Sequence, residues 1–129
     1  MKVYKILINR NGVLGSIMTD MSGRPILAYK PDKKTRSPVG PVMAFETKES
    51  ALRFMGSDPH PSMELWECEG ERMDVGKRGM LPTFSFFNIT RKETFETLEK
   101  FWNTDKLIFG VFAPPGTVFL SEVTLNKLK

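Results

Sequence analysis

The chain has 129 residues, 40% of them hydrophobic and 26% charged, with a formal net charge of +4. That length suits one domain around one core, the composition excludes wholesale disorder, and one cysteine with one histidine excludes an internal disulfide and a four-ligand structural zinc site. The charge is unevenly spread: residues 1–41 carry eight Lys/Arg against two Asp, whereas the remainder carries eleven against thirteen acidic residues.

In chain order, Val3 to Ile8 is rich in β-branched residues and predicts a strand. Asn11-Gly12 supplies the positive φ values of a tight hairpin turn, so Val13 to Thr19 is the expected return strand. Ile26 to Tyr29 is a short third strand after the Ser22-Gly23-Arg24-Pro25 turn. Residues 30–41 hold three prolines and four basic residues and read as a loop. Val42 to Phe45 reads as a buried strand. Thr47 caps a helix with Ala51, Leu52, Phe54 and Met55 on its apolar side, and Gly56 stops it.

Met63 to Glu69 is the next strand, followed by a loop over 70–82 that contains three glycines. The apolar segment 83–89 reads as a strand. Thr90-Arg91-Lys92-Glu93 is a capping box opening a helix over 90–102, with Phe95, Leu98, Phe101 and Trp102 on one stripe. Leu107 to Phe112 and Thr117 to Thr124 are the closing strands. Short turns between most strands predict a single α+β domain over residues 1–129, with a largely antiparallel sheet of about six to seven strands and two helices. The second helix is expected to pack Phe95, Leu98 and Trp102 against a sheet that includes Val3–Ile8 and Thr117–Val123.

Apolar runs such as Ile6-Leu7-Ile8 fall far short of the roughly 20 residues that span a bilayer. The start reads as a charged strand and not a signal peptide. With a single cysteine, these features place the expected location in a reducing cytoplasm. The sequence has no phosphate loop, nucleophile elbow or dinucleotide fingerprint, and it motivates no cofactor and no metal beyond the carboxylate-bound magnesium that Glu67 and Glu69 leave open as an alternative to a bare acid–base pair.

Three clusters are candidates for function. In Glu64-Leu65-Trp66-Glu67-Cys68-Glu69, strand alternation sends Glu64, Trp66 and Cys68 one way and Leu65, Glu67 and Glu69 the other. Glu67 and Glu69 then lie about 7 Å apart on one face. They are either a carboxylate pair, with His60 as helper, or the wet face of a strand; with no obvious cationic partner, the wet face is the simpler reading. Cys68 beside these glutamates is a poor nucleophile, because nearby negative charge disfavours its thiolate. The third cluster is Lys30, Lys33, Lys34 and Arg36, whose loop would attract phosphates, although Tyr29 is the only aromatic beside it in sequence.

The residues Tyr4-Lys5, Tyr29-Lys30, Gly40 to Thr47, Ala51 to Phe54, Trp66 to Glu69 and Gly116-Thr117-Val118 together resemble a family of small phage and mobile-element proteins. That resemblance implies no activity. Val42 to Phe54 and Pro114 to Val118 also resemble the outline of the ADP-ribosyltransferase scaffold. Phe45-Glu46-Thr47 stands where that family has Ser-Thr-Ser, and Ile108 and Gly110 stand at its glutamate positions, so the resemblance implies a copy inactive as a transferase.

Three functions follow as expectations. The first is a non-catalytic accessory or protein-binding domain from a phage or mobile element, acting through a protein partner or as a homo-oligomer. The second is nucleic-acid binding through the loop at 30–36. The third is a small carboxylate-dependent enzyme using Glu67, Glu69 and His60.

Overall fold

The computed structural model describes residues 1–17, 19, 24–74, 80–81, 91–103 and 111–129. Its elements in chain order are β1 (Lys2–Arg10), β2 (Val13–Gly15), β3 (Ala28–Tyr29), β4 (Lys34–Thr35), β5 (Val42–Phe45), α1 (Lys48–Met55), β6 (Met63–Arg72), β7 (Met80–Leu81), α2 (Arg91–Asn103), β8 (Val111–Phe112) and β9 (Thr117–Leu128). Among the described residues, seven strands form one sheet with antiparallel ladders, and β7 and β8 pair separately. Among the described residues the fold is α+β with two helices, as the order of strands and helices read from the sequence predicts.

The sheet also closes on itself. β1 pairs with β6 from Lys2↔Glu69 to Ile8↔Met63 and touches β5 at Tyr4↔Phe45. β9 pairs with β5 through Val42↔Leu120 to Phe45↔Thr117 and with β6 from Arg72↔Leu120 to Trp66↔Leu128. The circuit β1–β5–β9–β6 therefore returns to its start and makes a small barrel. β2 and β3 extend from the far end of β1, and β4 extends from β9.

Local chemistry explains the first hairpin. Asn11 and Gly12 both have positive φ, +54° and +86°, and the Asn9 side chain accepts the Gly12 N–H at 2.8 Å. Thr47 caps α1 by accepting the Ser50 N–H at 3.1 Å. Several boundaries differ from the sequence reading. The return strand ends at Gly15, β3 is two residues long, and the loop 30–41 contains β4, because Lys34 and Thr35 pair with Thr124 and Val123. β6 runs on to Arg72, and β7 lies within the span read as loop. The free edge of β9 pairs with Gly70, Glu71 and Arg72, which overrides the polar, glycine-containing composition there. The readings of 83–89 as a strand, of Thr90 as a cap and of a strand beginning at Leu107 lie outside the described residues up to Val111.

Two patches of apolar packing hold the barrel. Its interior is filled by Val3 and Leu7 of β1, Leu14, Tyr29, Val42, Ala44, Cys68, and Val118, Leu120, Val123 and Leu125 of β9. Strict alternation cannot put both Leu120 and Val123 inside. The register slips between Glu71 and Arg72, where β9 has the extra residue Ser121, so the inward phase is kept while the strand bends. On the outer face, Ile6, Phe45 and Leu65 receive Ala51 of α1. α2 buries Leu98 and Phe101, and its Trp102 meets Phe119 of β9 edge-on with centroids 5.9 Å apart. Gly40 permits that approach: its φ is +71°, and a Cβ there would lie 2.3 Å from the Trp102 ring. Phe95 is only half-buried.

Candidate nucleic-acid interface

The loop after β3 is held against the end of the barrel. The Asp32 N–H donates to the Leu125 carbonyl at 3.0 Å, Pro31 bridges Leu125, and Asp32 takes a left-handed φ of +61° that turns the chain. β4 then fixes Lys34 and Arg36 on the face of β9 that carries Glu122. Arg36 approaches Glu122 at 2.7 and 2.8 Å and Lys34 lies 3.5 Å from it. The hydrogen bond from Arg36, followed by the nearby Lys34 and Arg36 charges, holds the Glu122 carboxyl below its usual range. Lys30 and Lys33 have no ion pair among the described residues.

These four basic residues line a groove of about 660 Å³. The groove is also lined by the β1–β2 hairpin and β6, including Asn9, Val13, Glu64 and Trp66, with Leu128 at the end of β9. Trp66 is half-buried, and its indole Nε1 donates to Glu64 at 3.1 Å. Asn9 donates to the other oxygen of the same carboxylate at 2.9 Å. Glu64 therefore fixes the plane of the indole and holds the hairpin against β6. Val13 is 57% exposed and Leu128 49% exposed, so apolar surface lies open inside a basic rim. A groove lined by both basic side chains and a fixed indole is suited to a strand that presents phosphates and flat bases.

The carboxylates Glu67 and Glu69 lie elsewhere. Both are on the outer face of β6, where Glu67 meets Lys2 at 3.6 Å and Lys129 at 3.5 Å, and Glu69 meets the terminal amine at 3.6 Å. His60 is exposed in the loop before β6, and its Nδ1 is engaged by Ser62, accepting that residue's N–H at 3.1 Å. Strand rise alone puts about 13 Å between Met63 and Glu67. The structure thus brings Lys30, Lys33, Lys34 and Arg36 together and separates His60 from the glutamates. Cys68 is sealed in the barrel, and burial above all pushes its thiol up to about 12.

Sequence reasoning missed the partners of the basic loop. Trp66 sits 30 residues or more from it, and its phase with Cys68 marks it as core. That phase is right, but the barrel interior opens at this end, so the indole packs against the core with one side and lines the groove with the other. Comparison of the chain with protein-family models, curated proteins and solved structures finds no match. Among the described residues, no helix is long and apolar enough to cross a membrane, and no group of three or more His, Cys, Asp and Glu side chains is placed to hold a metal ion.

Proposed function

We propose that this protein is a non-catalytic binding domain that takes single-stranded nucleic acid in the groove between the 30–36 loop and β6. The observation that carries the reading is the juxtaposition of Lys30, Lys33, Lys34 and Arg36 with Trp66 across one groove. Lysines alone would attract any polyanion, and the aromatic plane with open Val13 and Leu128 beside it favours a ligand that carries flat apolar faces. Glu64 disfavours further phosphate at the Trp66 end, which leaves that end for bases. Its carboxylate can also accept from a base N–H, such as the imino group of thymine.

Fluorescence anisotropy with a labelled oligothymidylate at low salt tests the reading. Trp66→Leu keeps an apolar side chain against the core and removes the stacking plane, and it should weaken binding by about 1–3 kcal/mol, the measured range for loss of one stacked base. Lys30→Ala with Lys33→Ala should weaken it further without changing the fold, since both are exposed. Duplex of the same length should bind less well because its bases are already stacked. A polyglutamate peptide binding as tightly as the oligonucleotide would instead assign the groove to an acidic protein partner. Oligothymidylate binding unchanged in both variants would remove the site.

A further inference from the structure

Lys5 occupies an inward position of β1, between the wholly buried Val3 and Leu7. It is 9% exposed and is the one charged side chain among the described residues that is buried in the core. Its ammonium donates to the Met43 carbonyl, and it lies 5.1 Å from the centroid of the Tyr29 ring. The ladder between β1 and β5 is confined to Tyr4↔Phe45, and beside that pair the lysine donates to a carbonyl of β5. No carboxylate among the described residues is paired with it. An ammonium has three donors to place, and among the described residues this one meets a carbonyl and a ring face, which leaves its buried charge incompletely compensated there.

Lys5 also lines a cavity of about 420 Å³, within the range of small-molecule sites. The rest of that lining is mainly apolar, from Ile6, Ile17, Ala44, Phe45 and Phe54, with a few hydroxyl groups. Ile17 and Phe54 are 41% and 47% exposed, so the cavity is open and its mouth is apolar.

We infer that this cavity binds a small apolar monocarboxylate whose charged end pairs with Lys5 and whose hydrocarbon body lies along Ile6, Phe45 and Phe54. The ligand supplies the missing counter-charge at the buried end and covers the apolar mouth. A single negative charge matches a single ammonium, whereas a phosphate dianion would find, among the described lining residues, no second cation beside the Ser16, Thr19 and Thr117 hydroxyls. The site is separate from the basic groove and does not rest on it.

The titratable groups facing Lys5 are Tyr29 and Cys68; burial raises both above their ordinary values, while it lowers the Lys5 ammonium to about 8. Lys5 is therefore the one of the three that changes charge first as pH rises, and binding of a carboxylate should weaken from about pH 8 upward. The test is calorimetric titration of the full chain with octanoate and with octanol, both below their self-association limits. Octanoate should bind saturably and at least tenfold more tightly than octanol at pH 7, with the difference shrinking at alkaline pH. Lys5→Met should abolish that preference. Because this change orphans the Met43 carbonyl and could unfold the barrel, Ile17→Trp at the exposed mouth is the second variant; it keeps Lys5 and should block octanoate. Equal binding of octanoate and octanol, no saturable octanoate binding, or octanoate binding unaffected by Ile17→Trp would each overturn the inference.

Discussion

Lys5 shows how one side chain couples strand geometry to pH. Burial is the main cause of its lowered pKa, from 10.5 to about 8, and the direction sets the sign of its effect on stability. Below pH 8 both folded and unfolded chains hold the proton, and the full cost of burying the charge is present. Between about 8 and 10.5 the folded chain has released the proton while the unfolded chain keeps it, so stability rises with pH. Cys68 acts in the opposite sense above its ordinary value of 9.0, because the buried thiol stays protonated while the unfolded one ionises. Comparing urea midpoints of the wild type and Lys5→Met from pH 7 to 10.5 isolates the lysine. The wild type should gain on the variant by up to about 3 kcal/mol over that window; a constant difference would mean that Lys5 is not buried as an ammonium. The sequence carried a signal here, a lysine in the inward phase of an apolar strand. The usual reading, that lysine ends up in water, hides it.

Among the elements, α2 and β6 show what patterning can and cannot reveal. The helical stripe of Leu98, Phe101 and Trp102 is legible because a period of 3.6 puts those residues on one side, where Leu98 and Phe101 are buried and Trp102 meets Phe119 of the sheet. On β6 the alternation is equally legible: Glu67 and Glu69 share the outer face, and Trp66 and Cys68 turn inward. The extension of β6, the shortness of β2 and β3 and the pairing of β4 are set by the edges that distant strands offer, and no local composition encodes them. Leu98→Ala should cost roughly 2–5 kcal/mol because Leu98 is only 7% exposed. Glu69→Gln should stay within about 0.5 kcal/mol, since the Glu69 side chain is 57% exposed and has only a long ion pair to lose. Near-equal urea midpoints for the two variants would mean that α2 is not part of the core.

At the scale of the whole molecule, barrel closure gathers residues that are scattered in the chain. It sets Trp66 beside the 30–36 loop and Lys5 beside Phe45, and neither juxtaposition follows from spacing or charge. The Lys5–Tyr29 contact stands between them: Tyr29 lines the basic groove, and Lys5 lines the apolar cavity. The basic bias of residues 1–41 is visible in composition, but its partial cancellation is not, because Glu122 comes from the far end of the chain to pair with Lys34 and Arg36. On the proposed function, that pairing leaves Lys30 and Lys33 as the main phosphate contacts. The most direct measurement is the salt dependence of oligothymidylate binding. Two to four phosphate contacts predict a slope of log affinity against log salt of about −1.4 to −2.8, and Lys30→Ala with Lys33→Ala should flatten it by about 1.4. Binding that is absent at low salt, insensitive to salt, or equally steep in the double variant would contradict the assignment of this groove.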